Sequence, residues 1–268
     1  MIRFDVFKGG KRDAITLSYD DGREFDERLI GIFNKYGMKG TFHLPSAWFE
    51  RENNITHKYP DLSIYEGHEI SCHGKNHLSV NGVSNITLCN EILEDRRELE
   101  KRAGYPVYGM SYANGRFTDD AITVLRSCGI VYSRTTIKNR LPFDLPEDFM
   151  KWHPTCHHKE CLEYGKNFID GIDKYRAGAR ILYVWGHSYE FNNDDNWDLI
   201  EEFCKIVSGR NDIWYATNME IYEYIKAQRS LVISADEKMV YNPSSQEVWF
   251  TSDDEIMSVK AGETLIIK

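Results

Sequence analysis

Short apolar runs alternate with amphipathic stretches over roughly the first 230 residues, the pattern of repeated βα units around a parallel sheet. Ala14 to Leu17 reads as a strand. Behind it Leu29, Ile32, Phe33 and Tyr36 fall at i, i+3, i+4 and i+7, one face of a helix that stops near Gly37. Gly40 to Leu44 is the next strand, and His68 to Cys72 is a short one flanked by glycine. Leu88, Ile92, Leu99 and Ala103 then line one side of a charged helix ending at Gly104. Thr118 offers an N-cap, and Asp119 and Asp120 an acidic first turn, to a helix running to Cys128; Ile130 to Ser133 returns as a strand.

From Lys138 to Glu160 there are three prolines and no clean period, which predicts a long loop of the kind that often carries function. Ile181 to Trp185 is the most apolar strand candidate. Asn196 to Val207 and Asn218 to Gln228 read as closing helices. After Arg229 the texture changes. Leu231 to Lys268 breaks into short alternating runs with turn signals at Asn242-Pro243 and Ala261-Gly262, a small antiparallel β appendage too short to fold alone. The expected organisation is a main α/β domain over residues 1–230 and an appendage over 231–268 packed on it. Alternation alone fits either a (β/α) barrel or an open doubly wound sheet.

Hydrophobic residues at 41% and charged residues at 28% match an ordinary globular chain. A formal charge of −9 argues against nucleic acid and against an anionic membrane, both of which need a basic face. No apolar stretch follows the first basic residues as a signal peptide requires, and none later approaches a membrane span, so the expected location is the cytoplasm. The cysteines, Cys72, Cys89, Cys128, Cys156, Cys161 and Cys204, have no framework spacing, which agrees with reduced thiols.

Three sites can carry chemistry, each after an apolar strand candidate. Ser18-Tyr19-Asp20-Asp21-Gly22 places adjacent carboxylates at a strand end, where both reach one site only if the backbone turns, as Gly22 permits. Such a pair also serves to cap the next helix. His73 and His77 stand four apart, a spacing that lets two imidazoles share a divalent cation with a carboxylate and water; a solvated pair is the other possibility. His187, released by Gly186, ends the most apolar strand, where parallel α/β proteins hold catalytic groups.

Together these motifs resemble those of the NodB-homology polysaccharide deacetylases of carbohydrate esterase family 4, which carry T-F-D-D-G-like, H-x3-H and L-x-x-H-like motifs in this order. Gly37 to Ser46 (GMKGTFHLPS) and Gly67 to His73 (GHEISCH) are similar to two further family segments. The resemblance implies a deformed (β/α) barrel and a metal-dependent hydrolase that removes N-acetyl or O-acetyl groups from a carbohydrate. It implies Asp20 as catalytic base, His187 as general acid, and Asp21, His73 and His77 as ligands of a divalent ion, zinc first, with cobalt, manganese or nickel as alternatives. The third family motif supplies a backbone N–H to the oxyanion, a position matched here by Asn114.

The chain departs from the family where Met110-Ser111-Tyr112-Ala113-Asn114-Gly115 lacks the arginine and prolines of the third motif. That arginine pairs with the catalytic aspartate, so Arg116 and Arg134 are the candidate substitutes. Trp152 is the counterpart considered for the fourth motif, and the group that orients His187 is unassigned. Tyr112, Trp152, Tyr189 and Glu190 are candidate substrate contacts, with Trp48 and Trp185 as further aromatic surfaces that suit sugar C–H faces. His153 to Cys161, rich in histidine and cysteine, offers a possible second metal site beside its plainer reading as a cleft wall. The competing functions are hydrolysis of a non-sugar, cyclic-amide C–N bond and a non-catalytic carbohydrate-binding role on a degenerate scaffold.

Overall fold

The computed structural model describes residues 1–50, 62–172, 174 and 178–267. Its strands are β1 (Ile2–Arg3), β2 (Asp13–Asp20), β3 (Gly40–Leu44), β4 (Glu69–Cys72), β5 (Gly109–Ser111), β6 (Tyr132–Arg134), β7 (Cys156–His157), β8 (Arg180–His187) and β9 (Ile213–Tyr215), followed by β10 (Val232–Ile233), β11 (Met239–Tyr241), β12 (Val248–Ser252), β13 (Glu255–Val259) and β14 (Thr264–Ile266). The helices are α1 (Asp26–Lys35), α2 (Asn85–Ala103), α3 (Asp119–Ser127), α4 (Cys161–Asp170), α5 (Ser188–Asn193), α6 (Trp197–Val207) and α7 (Asn218–Arg229).

Strands β2 to β9 form one parallel sheet in the order β6-β5-β4-β3-β2-β8-β7, with β9 added beside the start of β2. The sheet curls. Trp152 bridges to Arg134 at one end of the order, and four and five residues on, Cys156 and His157 pair with β8 at the other, so one short segment spans the gap between the ends. The result is the deformed (β/α) barrel that the motifs implied, not an open sheet. All eight residues of β2 are buried, as expected of a strand covered on both faces.

The helices form where capping and periodicity coincide. Ser84 accepts the Thr87 N–H to start α2, and Gly104, in the left-handed region at φ 79°, ends it. Thr118 caps α3 as its sequence predicted. Leu29 and Phe33 of α1, Leu88, Ile92 and Leu99 of α2, and Ile200, Phe203 and Val207 of α6 pack with Leu17, Phe42 and Leu44 of the sheet in the main core.

The sequence pattern missed β5, β9, α4 and α5. The three-residue strands and the six-residue α5 are too short for a period to register, while α4, ten residues long, buries Cys161, Gly165 and Phe168, with a glycine where an apolar side chain would mark the face. The predicted long loop from Lys138 to Glu160 holds β7 and two 3-10 turns, ordered by burial of Phe149, Met150 and Trp152.

Residues 231–267 form two three-stranded antiparallel sheets, β10-β11-β14 and β1-β12-β13. The second takes its edge strand from the chain's start, pairing Ile2 with Ser252. Gln228 on α7 donates to the carbonyls of Val6 (2.9 Å) and Trp249 (3.1 Å), which fixes these sheets to the barrel.

Candidate active site

The C-terminal ends of β2, β4, β5, β6 and β8 meet at one mouth of the barrel. Asp20 ends β2 and lies in register with His187 at the end of β8 and with His43 on β3. The next residue, Asp21, takes the left-handed conformation (φ 75°), followed by Gly22 (φ 56°). That turn brings two neighbouring carboxylates to one cavity, which a continuing strand forbids.

Asp21, His73 and His77 converge. Both His73 Nε2 and His77 Nε2 lie 3.6 Å from Asp21 Oδ1. These separations exceed a hydrogen bond but match ligands sharing a cation, since atoms about 2.1 Å from a tetrahedral ion stand about 3.4 Å apart. Asp21 Oδ1 is buried and has no hydrogen-bond partner, an orphaned acceptor that a cation would satisfy. His73 is oriented for the task. Its Nδ1 faces the Ser111 carbonyl (3.1 Å) and hydroxyl (2.7 Å), which leaves Nε2 with a lone pair toward Asp21.

The loop between the two histidines is held from below by α2. Asp95 accepts the backbone N–H groups of Ser46 (2.9 Å) and His73 (3.2 Å). Glu91 accepts the Asn76 N–H (2.6 Å) and side-chain amide (2.9 Å). Burial pushes Asp95 up to about 7. Neither carboxylate was singled out in the sequence, because on a helix rich in glutamate they look like any solvated charge.

Asp20 stands beside this group, with Oδ2 3.8 Å from His73 Nε2. Ser111 donates to its Oδ1 (3.1 Å), and the Arg134 guanidinium pairs with its Oδ2. Of the two arginines considered, Arg134 therefore fills the place left by the altered third motif. Burial by itself would raise Asp20, but the Arg134 guanidinium above all outweighs it and holds the carboxyl well below the usual range. His43 is itself driven down to about 3 by burial and stays neutral.

His187 closes the other side, with Nε2 4.0 Å from Asp21 Oδ2. Its Nδ1 lies 3.1 Å from Glu190 Oε2, which also accepts the His187 backbone N–H (3.2 Å). Burial lowers His187, yet the Glu190 bond and the charges of Asp20 and Asp21 bring it above its ordinary value. Glu190, expected to touch substrate, is instead committed to His187 and to His157 Nε2 at 3.1 Å.

Two other expected substrate contacts are corrected. Tyr112 is buried, donates to the Met150 carbonyl (2.7 Å) and stacks on Phe117, so its side chain is core. Trp152 is buried among Tyr132, Phe149 and Tyr183. Tyr189, half-buried, lies against His187 with ring centroids 5.1 Å apart. Asn114 is exposed, with φ 59°, and its side-chain amide donates to the Ser79 hydroxyl (3.0 Å).

The His153 to Cys161 stretch does not gather into a metal cage. His153 bonds Thr135, Cys156 and Cys161 are buried, and His158 stacks on Phe191. His158 Nε2 lies 3.6 Å from Glu190 Oε2, and His157 forms a group with His187 and Glu190. Its Nδ1 accepts the Lys159 N–H (3.3 Å), which puts the ring proton on Nε2 toward Glu190. A protonated nitrogen cannot ligate, so this group is a hydrogen-bond relay.

The fold and the placement of these side chains can now be set beside known proteins. The comparisons bear out the family resemblance read from the motifs: residues 8–133 match the family model described as polysaccharide deacetylase. A protein from Mycobacterium smegmatis, assigned to the polysaccharide deacetylases, is similar at 18% identity with a TM-score of 0.63, over 85% of this chain and 96% of that one. PuuE allantoinase is similar at 14% identity and a TM-score of 0.60, over 81% and 91%. The Xyl-CE4 domain of a multidomain xylanase from the hindgut metagenome of Trinervitermes trinervoides gives 18% and 0.52, over 81% and 92%. These likenesses are of fold. No curated protein matches the sequence. No helix among the described residues is long and apolar enough to cross a membrane.

Proposed function

We propose that the protein is a metal-dependent hydrolase that removes N-acetyl or O-acetyl groups from a carbohydrate. The observation that carries this reading is the meeting of Asp20, Asp21, His73, His77 and His187, from three separate stretches of the chain, around one cavity. Asp21, His73 and His77 would hold the ion. Two imidazoles and a carboxylate suit zinc and several other first-row ions. A divalent ion held there supplies a Lewis acid for the acyl oxygen and brings the acidity of water toward neutrality.

Asp20 then accepts the proton of the attacking water. Arg134 keeps it ionised at neutral pH, and Ser111 fixes its orientation, while each oxygen keeps a lone pair for the incoming proton. The Asn114 backbone N–H serves the oxyanion that forms. An amine leaves only when protonated. His187, raised by Glu190 and the two aspartates, holds the proton for that step at Nε2, with Nδ1 tethered to Glu190. A non-catalytic carbohydrate-binding role is the second reading, favoured by the altered third motif, whereas Arg134 beside Asp20 supports the catalytic one.

The test measures acetate release from acetylated oligosaccharides alongside metal content. Asp21→Ala, His73→Ala and His77→Ala should lose both metal and turnover; Asp20→Asn and His187→Gln should keep metal and lose turnover. Full metal content in the first three, or undiminished acetate release in the last two, would overturn the proposal.

A further inference from the structure

Arg23 follows the Asp21-Gly22 turn, and the two successive left-handed residues swing it back across the cavity mouth. Its guanidinium carbon sits 5.0 Å from the Tyr189 ring centroid and 5.5 Å from that of Trp48. Those rings rest on the two sides of the site. Tyr189 packs on His187 at 5.1 Å, and Trp48 packs on His77 at 5.3 Å. Arg23 thus stands one ring away from the general acid and one ring away from a metal ligand.

Among the described residues no carboxylate pairs with this guanidinium, and its Nε is buried without an acceptor. A cation–π contact offsets part of the lost hydration, but a ring accepts no N–H in plane. The arginine beside Asp20 is treated differently: Arg134 pairs with that carboxylate. With two rings beside it and no carboxylate paired to it among the described residues, Arg23 has N–H groups left to bind, and the guanidinium fork matches a carboxylate.

We propose that Arg23, clamped between Trp48 and Tyr189, is the anion subsite of this centre, and that the substrate carries a carboxylate on the sugar beside the acylated one. The proposal rests on the hydrolase reading for its reacting group, but not for its binding site. It narrows the substrate class from carbohydrates in general to acidic ones. Trp48 and Tyr189 set the depth of the subsite, and Arg23 sets its charge.

The test uses a matched pair: an N-acetylated amino sugar linked to a uronic acid, and the same disaccharide with the carboxyl reduced to an alcohol. Affinities are read by calorimetry on purified protein of known, equal metal content. The protein should bind the carboxylated sugar at least about tenfold more tightly than its neutral twin, the worth of a charge-assisted contact. Arg23→Gln should erase the difference, and Arg23→Lys should restore part of it, because it returns the charge without the fork. Equal affinities in the unaltered protein, no measurable binding of the carboxylated sugar, or a preference that survives Arg23→Gln would overturn the subsite. Acetate release from the same pair separates the two proposals. A lasting affinity difference without any release sinks the hydrolase and leaves the subsite standing; equally efficient release from both sugars does the reverse.

Discussion

Arg134 and Asp20 pair although three strands lie between theirs in the sheet order. The contact exists because the sheet curls and brings the ends of β6 and β2 across the barrel mouth. Arg134 is fully buried and Asp20 is 3% exposed, so neither charge has water to fall back on. The arginine also lies over the Trp185 ring, its guanidinium carbon 4.4 Å from the centroid, which fixes the fork toward Asp20. Trp185 is therefore a buttress of the site from one side of the barrel.

Arg134→Gln should cost about 3–5 kcal/mol of stability, the effect of leaving one partner of a buried pair uncompensated. Denaturant unfolding reads this directly. The pH sign follows from the lowered Asp20: its contribution to stability is complete above the unfolded carboxyl value near 4 and is lost as pH falls toward the folded one. Without Arg134 that loss moves to higher pH, and the acid limb of kcat/KM moves with it. A variant with unchanged acid limb and unchanged midpoint would show that the pair tunes nothing.

Glu190→Gln removes the bond that raises His187 against the lowering effect of its burial. A general acid is active while protonated, so the alkaline limb of the pH–rate profile should move to lower pH. The kcat should fall about 10–100-fold, with little change in KM. His157→Ala leaves Glu190 in place and should produce the smaller change of the two. A limb that stays put in Glu190→Gln would mean that the carboxylate does not govern His187.

Much of this site could be read from the chain because it sits at strand ends, where apolar runs stop and chemistry begins. Asp20, Asp21, His73, His77 and His187 all announced themselves in that way. Arg134 did so only in part. It follows a recognisable strand, but which arginine faces Asp20 depends on how far the sheet curls, and periodicity carries no curvature. Glu190 and Tyr112 failed for opposite reasons: a short helix after His187 turns Glu190 back on the imidazole, while the first residue after β5 turns inward to Met150. The second layer had no local signal at all: Ser111 ends a three-residue strand, and the hydrogen bonds of Glu91 and Asp95 to a distant loop leave no mark on the pattern of α2.

Glu91→Ala should loosen the His73 to His77 loop without touching either imidazole. Its carboxylate gathers Asn76 twice, and packs beneath Gly74, where an added Cβ would meet Glu91 Oε1 at 3.3 Å. Supporting groups of this kind are worth about 10–100-fold in metal affinity. Competition with a chelator should show that loss, while the fold persists by circular dichroism. Undiminished affinity would put the loop's rigidity elsewhere.

Gly186→Ala tests the packing that delivers His187. A Cβ at this position would lie 1.9 Å from His158 Nδ1, and the buried His158 ring is packed against Phe191 at 4.1 Å and Tyr19 at 5.9 Å. Burial holds that imidazole neutral, with its pKa pushed down to about 3, so it behaves as a core aromatic and offers no charge to solvate in compensation. Overpacking of a buried site costs about 1–3 kcal/mol, and here the strain falls one residue before His187, the proposed general acid. The expected result is a lowered unfolding midpoint together with a reduced kcat. His158→Ala in the same chain should recover part of the stability by making room for the methyl group. If Gly186→Ala melts at the temperature of the unaltered protein, the close approach of β8 to His158 is not what sets the position of His187.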